Sequence, residues 1–203
     1  MLDYVAKVEE HQSRASWEAW MTRLMAECLI RRVLTRHPLQ GVLDFGCGPG
    51  KFTRMLRDKG VNVVGYDARI DMVARARFLD TERVGSYVHR KEALCQLYWD
   101  VVFVTNVLGH LPDPRAEIAW LRDRMERNAR LVIFNPNVWH TRLRKLPDLL
   151  SGYEPDPTLR WHWSLAGVTK MIEAQGFKRE WAYFDGWSCL GVKSNYAACF
   201  VKA

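Results

Sequence analysis

The chain has 203 residues, of which 48% are apolar, with a net charge of +7 and five cysteines. This size and composition predict one α/β domain with a sizeable core, and no apolar run approaches the roughly twenty residues that a membrane span needs. The odd cysteine count without a C-x-x-C motif argues against a disulfide framework or a cysteine metal site. With no secretory signal at its start, the sequence predicts a protein of the reducing cytoplasm.

Residues 1–39 precede the first predicted strand and contain one amphipathic pattern. Apolar side chains recur at helical spacing from Trp17 to Leu29, and Ser16 can cap the helix that they predict. We expect this N-terminal helical segment to pack on the sheet or over the ligand cleft of the domain formed by residues 40–203.

The stretch Val42-Leu43-Asp44-Phe45-Gly46-Cys47-Gly48-Pro49-Gly50 predicts a buried strand, a glycine turn and a following helix. Glycines at a strand-to-helix turn let the backbone approach a ligand where a Cβ would clash. The turn is also expected to present N–H groups at the start of the helix. A dinucleotide fingerprint, G-x-G-x-x-G, would need its third glycine at the position of Lys51.

The observed pattern, D-x-G-x-G-x-G, resembles the first motif of class I S-adenosylmethionine-dependent methyltransferases. In that family the acidic residue approaches the methionine end of the cofactor. The resemblance implies S-adenosyl-L-methionine as the cofactor, and it assigns the first part of the cofactor shell to Asp44, Gly46, Cys47, Gly48 and Gly50.

A second apolar run over residues 61–66 ends at Asp67, about twenty residues after the first glycine. A carboxylate at this place can accept both ribose hydroxyls of an adenosine. The alternative is a structural aspartate that caps the helix predicted over residues 71–78. In the family this turn often contacts the adenine or ribose, which implies further contacts from Ala68 and Met72.

A third strand is predicted before Glu92-Ala93. The family usually has Asp-Ala here, and its carboxylate reaches the adenine amino group. The longer side chain of Glu92 is a departure from that motif. The resemblance implies that Glu92 and Ala93 contact adenine, and the alternative is a solvated glutamate beside Arg90 and Lys91.

The apolar run over residues 100–105 predicts a fourth strand that is buried on both faces of a parallel sheet. Asn106-Val107-Leu108 lies at its carboxyl end, where ligands bind in open α/β sheets. We assign these three residues to the cofactor shell and expect Leu108 to pack on the adenosine. The following His110-Leu111-Pro112-Asp113 resembles the H-L-x-D of many small-molecule methyltransferases. His110 is a candidate catalytic residue, with a structural hydrogen bond in the loop as the alternative.

A fifth strand is predicted over residues 130–137. Its Asn135-Pro136 resembles the start of the N-P-P-Y motif of amino-group methyltransferases, but it occurs one strand too late. We interpret it as the end of a strand that turns into a loop.

Residues 138–163 form an insertion before the last helix, where the family places its substrate lid. Long loops in compact domains are usually functional. Its aromatic residues predict an apolar wall around an aromatic or lipophilic acceptor, or else they pin the lid to the body. His140 and His162 are candidates to take the acceptor's proton, whereas their spacing from the nearby acids matches no metal-ligand pattern, so no metal is expected. The predicted substrate-binding residues are Trp139, Tyr153, Trp161 and Trp163.

A helix that begins at Ser164 and stops at Gly176, followed by two strands, matches the family's last crossover and hairpin. The predicted fold is therefore α/β and doubly wound. It is a mostly parallel seven-stranded sheet with helices on both faces and a C-terminal antiparallel hairpin.

The resemblance implies transfer of a methyl group to an O, N or C atom of a small molecule. The cofactor carries the difficult chemistry and the protein positions the reactants, so a base is needed only for a hydroxyl or a protonated amine. The dispersed positive charge disfavours nucleic acid without excluding an RNA or protein methyltransferase. A non-catalytic, regulatory S-adenosylmethionine-binding protein is another alternative, and Lys51 argues against a nicotinamide-dependent oxidoreductase.

Overall fold

The computed structural model describes residues 5–6, 8–10, 19, 21–24, 41–95, 97–139, 158–189 and 192–203. Of the described residues before the first strand, residues 5–6, 8–10, 19 and 21–24 are helical. Two 3-10 helices, Thr81–Ser86 and Lys91–Leu94, flank the third strand. The remaining elements are β1 (Val42–Phe45), α1 (Lys51–Arg57), β2 (Val63–Tyr66), α2 (Ile70–Leu79), β3 (Tyr87–Val88), β4 (Trp99–Thr105), α3 (Pro114–Arg122), β5 (Met125–Pro136), α4 (Leu165–Glu173), β6 (Phe177–Cys189) and β7 (Val192–Lys202).

The strands form one seven-stranded sheet in the order β3-β2-β1-β4-β5-β7-β6. The first five strands pair in parallel, and β7 runs antiparallel to both β5 and β6. The predicted fold is therefore confirmed, including the C-terminal hairpin. The chain order reverses between β1 and β4, and ligands of open α/β sheets bind at the carboxyl ends of the strands beside such a reversal.

Side chains alternate between the two faces of the sheet, and each face is covered. One face packs against α3 and α4, and the other packs against α1 and the helical residues 21–24. Because both faces are covered, successive side chains of the central strands are apolar whichever face they lie on, which explains the continuous apolar runs in the sequence. Members of the first face include Leu43, Phe45, Val102, Val104, Ile118 and Val168, and members of the second include Val42, Val101, Phe103, Phe52, Leu56 and Leu24.

Two strands differ in length from the prediction. The third strand is only Tyr87–Val88, whereas the fifth begins at Met125, upstream of its apolar run. Met125 pairs with Trp99, and the register then shifts, so that Val101 pairs with Arg130. Asn128 takes a left-handed conformation with φ 63° in this bulge. Because the bulged residues are mostly polar, the hydrophobic pattern did not include them in the strand.

The predicted helix start at Ser164 is confirmed, since its hydroxyl accepts the Gly167 N–H at 3.1 Å. The helix ends at Glu173, three residues before the predicted stop at Gly176, which takes the left-handed conformation with φ 83°. Among the described residues, no helix combines the length and the apolar character required to cross a membrane.

Candidate functional site

The three glycines of the turn after β1 are required by the backbone itself. Gly46, Gly48 and Gly50 have φ values of 81°, 54° and 77°, which side-chain-bearing residues rarely adopt. A Cβ on Gly46 would lie 2.2 Å from Val107 Cγ2, and one on Gly50 would lie 2.8 Å from the Tyr87 ring. These two glycines therefore make room for protein side chains.

The N–H groups of the turn also have partners inside the protein. Gly46 and Cys47 donate to the Tyr66 carbonyl at 2.7 and 2.8 Å, and Gly50 donates to the Cys47 carbonyl at 3.0 Å. Gly48 donates to Asp67 Oδ2 at 2.9 Å. Two of these bonds form because the pairing of β1 with β2 brings the Tyr66 carbonyl to the turn. The N–H groups of these four turn residues are therefore already engaged within the protein.

Asp44 lies beneath the turn with its side chain fully buried. Its Oδ2 accepts the Thr53 hydroxyl at 2.6 Å, while its Oδ1 has no hydrogen-bond partner among the described residues. Burial raises the pKa of Asp44 to about 7; the nearby Asp67 charge adds to the rise, and the Thr53 bond and Arg57 oppose it. Asp44 is thus a carboxyl that a cationic or hydrogen-bond-donating ligand would hold in its ionised form.

Asp67 lies at the carboxyl end of β2, beside Asp44. Its Oδ1 accepts the Arg69 N–H at 2.9 Å, and its Oδ2 accepts the Gly48 N–H. Burial raises the pKa of Asp67, and these two hydrogen bonds oppose the rise. Arg69, not Asp67, occupies the N-cap position of α2. The two bonds fix the carboxylate, and each oxygen keeps lone-pair capacity for a further donor.

Asn106 ends β4 next to the turn in a left-handed conformation with φ 58°. Its N–H donates to the Phe134 carbonyl at 2.7 Å, and its buried Oδ1 has no partner among the described residues. Such a conformation in a residue other than glycine is uncommon and concentrates at functional sites. The next two residues face elsewhere: Val107 fills the space above Gly46, and Leu108 is fully buried in the core. The expectation that the Leu108 side chain packs on the adenosine is not supported.

The remaining predicted cofactor residues divide into buried and exposed ones. Cys47 is buried beside Tyr87, and burial raises the pKa of its thiol well above the ordinary value, with smaller contributions from Asp44 and Asp67. Met72 is buried, whereas Ala68, Glu92 and Ala93 are exposed. The exposure of Glu92 agrees with the alternative that it is a solvated surface glutamate.

Glu92 lies in the 3-10 helix that follows the carboxyl end of β3. Burial raises the pKa of Tyr66 to about 12, and the negative charges of Glu117, Asp67 and Glu92 add to that rise. The charge of Glu92 therefore acts on the same tyrosine as the charge of Asp67.

The ends of the insertion meet at the carboxyl end of β5. The Val138 N–H donates to the Trp163 carbonyl at 3.2 Å, so the chain leaves and returns at one point. The returning segment then docks on the loop after β4. Arg160 and Trp161 donate their main-chain N–H groups to the Gly109 carbonyl at 2.7 and 3.0 Å. A Cβ on Gly109 would lie 2.4 Å from Leu159 Cδ1 and 3.0 Å from the Trp161 carbonyl oxygen, so the returning segment packs closely on this glycine.

The aromatic residues of the insertion fasten it to the body. Trp161 Nε1 donates to the Leu111 carbonyl at 2.9 Å, and Trp163 Nε1 donates to the Leu108 carbonyl at 3.4 Å. The two rings lie 6.1 Å apart between centroids. Trp139, at the start of the insertion, is 54% exposed. The predicted pinning role is thus seen for Trp161 and Trp163, and Tyr153 lies outside the described residues.

The candidate catalytic histidines differ in their surroundings. His110 Nδ1 lies 2.9 Å from Thr158 Oγ1, which is the structural hydrogen bond that we gave as the alternative to catalysis. His162 is exposed, and His140 lies outside the described residues. Across the described part of the chain, no three His, Cys, Asp or Glu side chains are placed to share a metal ion.

Sequence reasoning missed two groups of residues at this edge. The Tyr87 ring fills the space beside Gly50, and its hydroxyl donates to Asp80 Oδ2 at 2.9 Å. The other group is Asn135, which is buried at the end of β5 beside Tyr196. The Asn135-Pro136 dipeptide was the available signal for this pair, but it also fits an ordinary strand end. No local pattern marks Tyr87, because its partners lie in the glycine turn and at the end of α2.

Comparison with known proteins assigns this architecture to a family. A family model described as a methyltransferase domain matches residues 16–182. The trans-aconitate 2-methyltransferase of Agrobacterium fabrum is 32% identical over 118 residues, which cover 53% of this chain and 44% of that protein. The chain thus spans less than half the length of this curated relative.

Solved structures share the fold. An S-adenosylmethionine-dependent methyltransferase from Archaeoglobus fulgidus superposes with a TM-score of 0.68 at 21% identity, over 97% of this chain and 99% of that one. The magnesium protoporphyrin IX methyltransferase of Synechocystis with bound SAH, S-adenosylhomocysteine, gives a TM-score of 0.64 at 20% identity, over 90% and 84% of the two chains.

Proposed function

This chain belongs to the methyltransferase-domain family, and from that premise we propose that it transfers a methyl group from S-adenosyl-L-methionine to a small-molecule acceptor. The cofactor, when bound, supplies an electrophilic methyl group on a sulfonium. The residues of the chain bind it, orient the acceptor and exclude water, which is chiefly positioning.

One observation carries this proposal: two carboxyl groups flank a glycine turn whose N–H groups already have partners. Asp44 keeps a buried oxygen without a partner, and Asp67 is held by two main-chain N–H groups. A pyrophosphate needs free N–H donors at such a turn. S-adenosylmethionine has no phosphate and carries positive charge on its sulfonium and ammonium groups. The arrangement therefore favours S-adenosylmethionine over a nicotinamide dinucleotide.

The proposed contacts follow from the atoms that lack partners. Asp67 accepts the ribose hydroxyls with its remaining lone pairs, and Glu92 reaches the adenine amino group from the exposed 3-10 helix. Asp44 and Asn106 offer buried oxygens to the methionine end of the cofactor. Cys47, Gly48 and Ala93 contribute main chain, because the Cys47 thiol is buried away from the edge.

The acceptor is proposed to lie between the loop after β4 and the insertion. Aromatic surface supports this placement, since Trp139 and Trp161 are 54% and 45% exposed. The A. fabrum relative is named for a small-molecule acceptor. His162 and His140 remain the proposed proton acceptors, because His110 is engaged by Thr158.

The N-terminal segment is proposed to lie against the sheet and to reach α2. Met21 and Leu24 are fully buried in the core of the second sheet face. Glu9 pairs with Arg75 on α2 at 2.6 Å, and α2 follows directly after Asp67. Residues 1–39 would then flank the cofactor and limit the access of water to it.

Calorimetric titration with S-adenosylmethionine, SAH and NADH tests the cofactor. We expect the two sulfur nucleosides to bind and NADH to leave no heat signal; binding of NADH, or of none of the three, would refute the assignment. Methyl-labelled cofactor incubated with separate small-molecule, RNA and protein fractions then tests the acceptor class. Label in the small-molecule fraction supports the proposal, label in RNA or protein contradicts the acceptor class, and cofactor binding without any transfer indicates a regulatory protein.

A further inference from the structure

The carboxyl ends of β5 and β7 hold a buried polar pair that the proposed cofactor contacts do not use. Asn135 is 2% exposed and lies directly opposite Tyr196 in the antiparallel ladder. Asn135 Nδ2 donates to the Tyr196 hydroxyl at 3.3 Å, and Asn135 Oδ1 has no partner among the described residues. A buried amide oxygen without a partner is unfavourable in the free protein, so its retention requires an explanation.

The position of the pair connects it to the ligand-binding edge. Phe134, the residue before Asn135, accepts the Asn106 N–H at 2.7 Å, so the two asparagines end adjacent strands side by side. Both have a buried Oδ1 without a partner in the described part of the chain. Three residues beyond Asn135, Val138 is bonded to Trp163, the last residue of the insertion. The pair thus lies where the insertion meets the strand ends.

The pair offers one acceptor and one donor. Asn135 Oδ1 accepts; the Tyr196 hydroxyl itself accepts from Asn135, and among the described residues none takes its proton, so it can donate. Burial raises the pKa of Tyr196, so this proton is retained at neutral pH. In the flipped orientation of the Asn135 amide, the tyrosine hydroxyl donates to the amide oxygen. The amide N–H₂ is then the free donor and the tyrosine oxygen the free acceptor, so the pair still offers one donor and one acceptor.

A pair that offers one hydrogen-bond donor and one acceptor selects a neutral ligand group. A hydroxyl both donates and accepts, and therefore satisfies both members of the pair. A carboxylate only accepts, so it would face Asn135 Oδ1 without a proton between them. The Phe184 ring lies edge-on to Tyr196, with centroids 6.4 Å apart, and is 51% exposed. An apolar ring beside the polar pair suits an aromatic compound that carries the hydroxyl.

We infer that Asn135 and Tyr196 form a subsite that binds a hydroxyl group of an aromatic methyl acceptor and favours it over a carboxylated one. This inference rests on the proposed function. The bound hydroxyl keeps its proton, because neither side chain is a base, and it orients the acceptor.

Binding of three matched probes to the protein saturated with SAH tests the inference. Catechol carries two hydroxyls, 1,2-dimethoxybenzene accepts without donating, and phthalate presents carboxylates. We expect catechol to bind about tenfold more tightly than either of the others, the scale of one buried hydrogen bond. Tyr196→Phe and Asn135→Leu should each lose most of that preference while SAH affinity is unchanged. Tyr196→Phe removes a single oxygen, so it remains informative if Asn135→Leu fails to fold.

Asn137 provides the matched control. It is also buried, but its amide donates to the Lys193 carbonyl at 3.0 Å and accepts the Trp139 N–H at 3.2 Å. Asn137→Ala should lower thermal stability and leave the preference for catechol intact.

Equal binding of the three probes, or no catechol binding, in protein that binds SAH would overturn the subsite alone. An unchanged preference in Tyr196→Phe would do the same, and would indicate a structural pair. Failure of the wild-type protein to bind SAH would overturn the proposed function and, with it, this inference.

Discussion

The carboxyl ends of β1 and β2 differ from those of β4 and β5 in how their polar atoms are satisfied. At the first pair of strands, the N–H groups of the turn and both oxygens of Asp67 have partners, and Asp44 Oδ1 is the buried oxygen left without one among the described residues. At the second pair, Asn106 and Asn135 keep buried oxygens without partners among the described residues. The tryptophan side chains of the insertion bond to the loop after β4, and these bonds join residues about fifty positions apart.

This difference separates two kinds of site. The first region is preorganised, because its geometry is fixed by the protein before a ligand arrives, and it suits the constant part of a reaction, the nucleoside. The second region leaves hydrogen-bonding capacity open and is bounded by an inserted segment. It suits the part of the reaction in which related enzymes differ, the acceptor.

If the first region is preorganised, substitution of Gly46 should cause the largest loss of stability. Gly46→Ala should lower the free energy of unfolding by about 3 kcal/mol, since the left-handed conformation costs roughly 1–2 kcal/mol and the overlap with Val107 adds a similar amount. Urea unfolding measures this change, and SAH affinity should fall with it.

Gly60 is the matched control, because its φ is 80° and nothing lies within 4 Å of an added Cβ. Gly60→Ala should cost only about 1 kcal/mol, the conformational part. Equal losses in the two variants would mean that the contact with Val107 does not hold the turn.

A smaller effect is expected at Asp67. Asp67→Ala should weaken SAH binding by about 1–3 kcal/mol, since the ribose hydroxyls lose their acceptor. Calorimetric titration measures this loss. Asp71→Ala removes a nearby carboxylate that pairs with Arg69 and should leave the affinity nearly unchanged. An Asp67→Ala protein with wild-type affinity would remove the ribose assignment.

Asp44 makes the first region pH-dependent. Its pKa of about 7 in the free protein should fall when a cationic ligand binds, so S-adenosylmethionine binding at pH 7 should release roughly half a proton and tighten as pH rises through 7. Because this folded pKa lies above the unfolded value, the contribution of Asp44 to folding stability decreases as pH rises from about 4 to 7.

Calorimetry in two buffers with different ionisation enthalpies measures the proton release. Asp44→Asn should abolish it. Proton release that persists in this variant would assign the titration to another group.

The smallest effect concerns the second region. Thr158→Val should lower the free energy of unfolding by about 1 kcal/mol, since it removes the partner of His110. In a double-mutant cycle with His110→Ala, the two changes should be coupled by a similar amount. Loss of turnover in His110→Ala far beyond that in Thr158→Val would instead support His110 as a catalytic residue.

The sequence predicted the parts of the molecule that depend on local spacing. The glycine turn, the position of Asp67 and the Ser164 cap follow from residues within one strand, one turn or one helix. The mostly parallel sheet followed from the alternation of apolar runs with helices, since parallel neighbours require crossovers; the order of its strands was not predicted.

What the sequence could not predict depends on contacts between distant residues. The turn N–H groups are occupied because β2 places the Tyr66 carbonyl beside them. The early start of β5 depends on the pairing of Met125 with Trp99 across a bulge. Asn135 resembles an ordinary strand end until Tyr196, sixty-one residues later, is placed opposite it.

The single hydrogen bond between Val138 and Trp163 has an evolutionary consequence. Because Val138 is bonded to Trp163 and residues 158–161 dock on the loop after β4, a descendant gene could shorten, lengthen or exchange residues 140–157 without altering β5 or α4. Under the proposed function, such changes would alter which acceptor is bound, while the nucleoside contacts at β1 and β2 would stay the same.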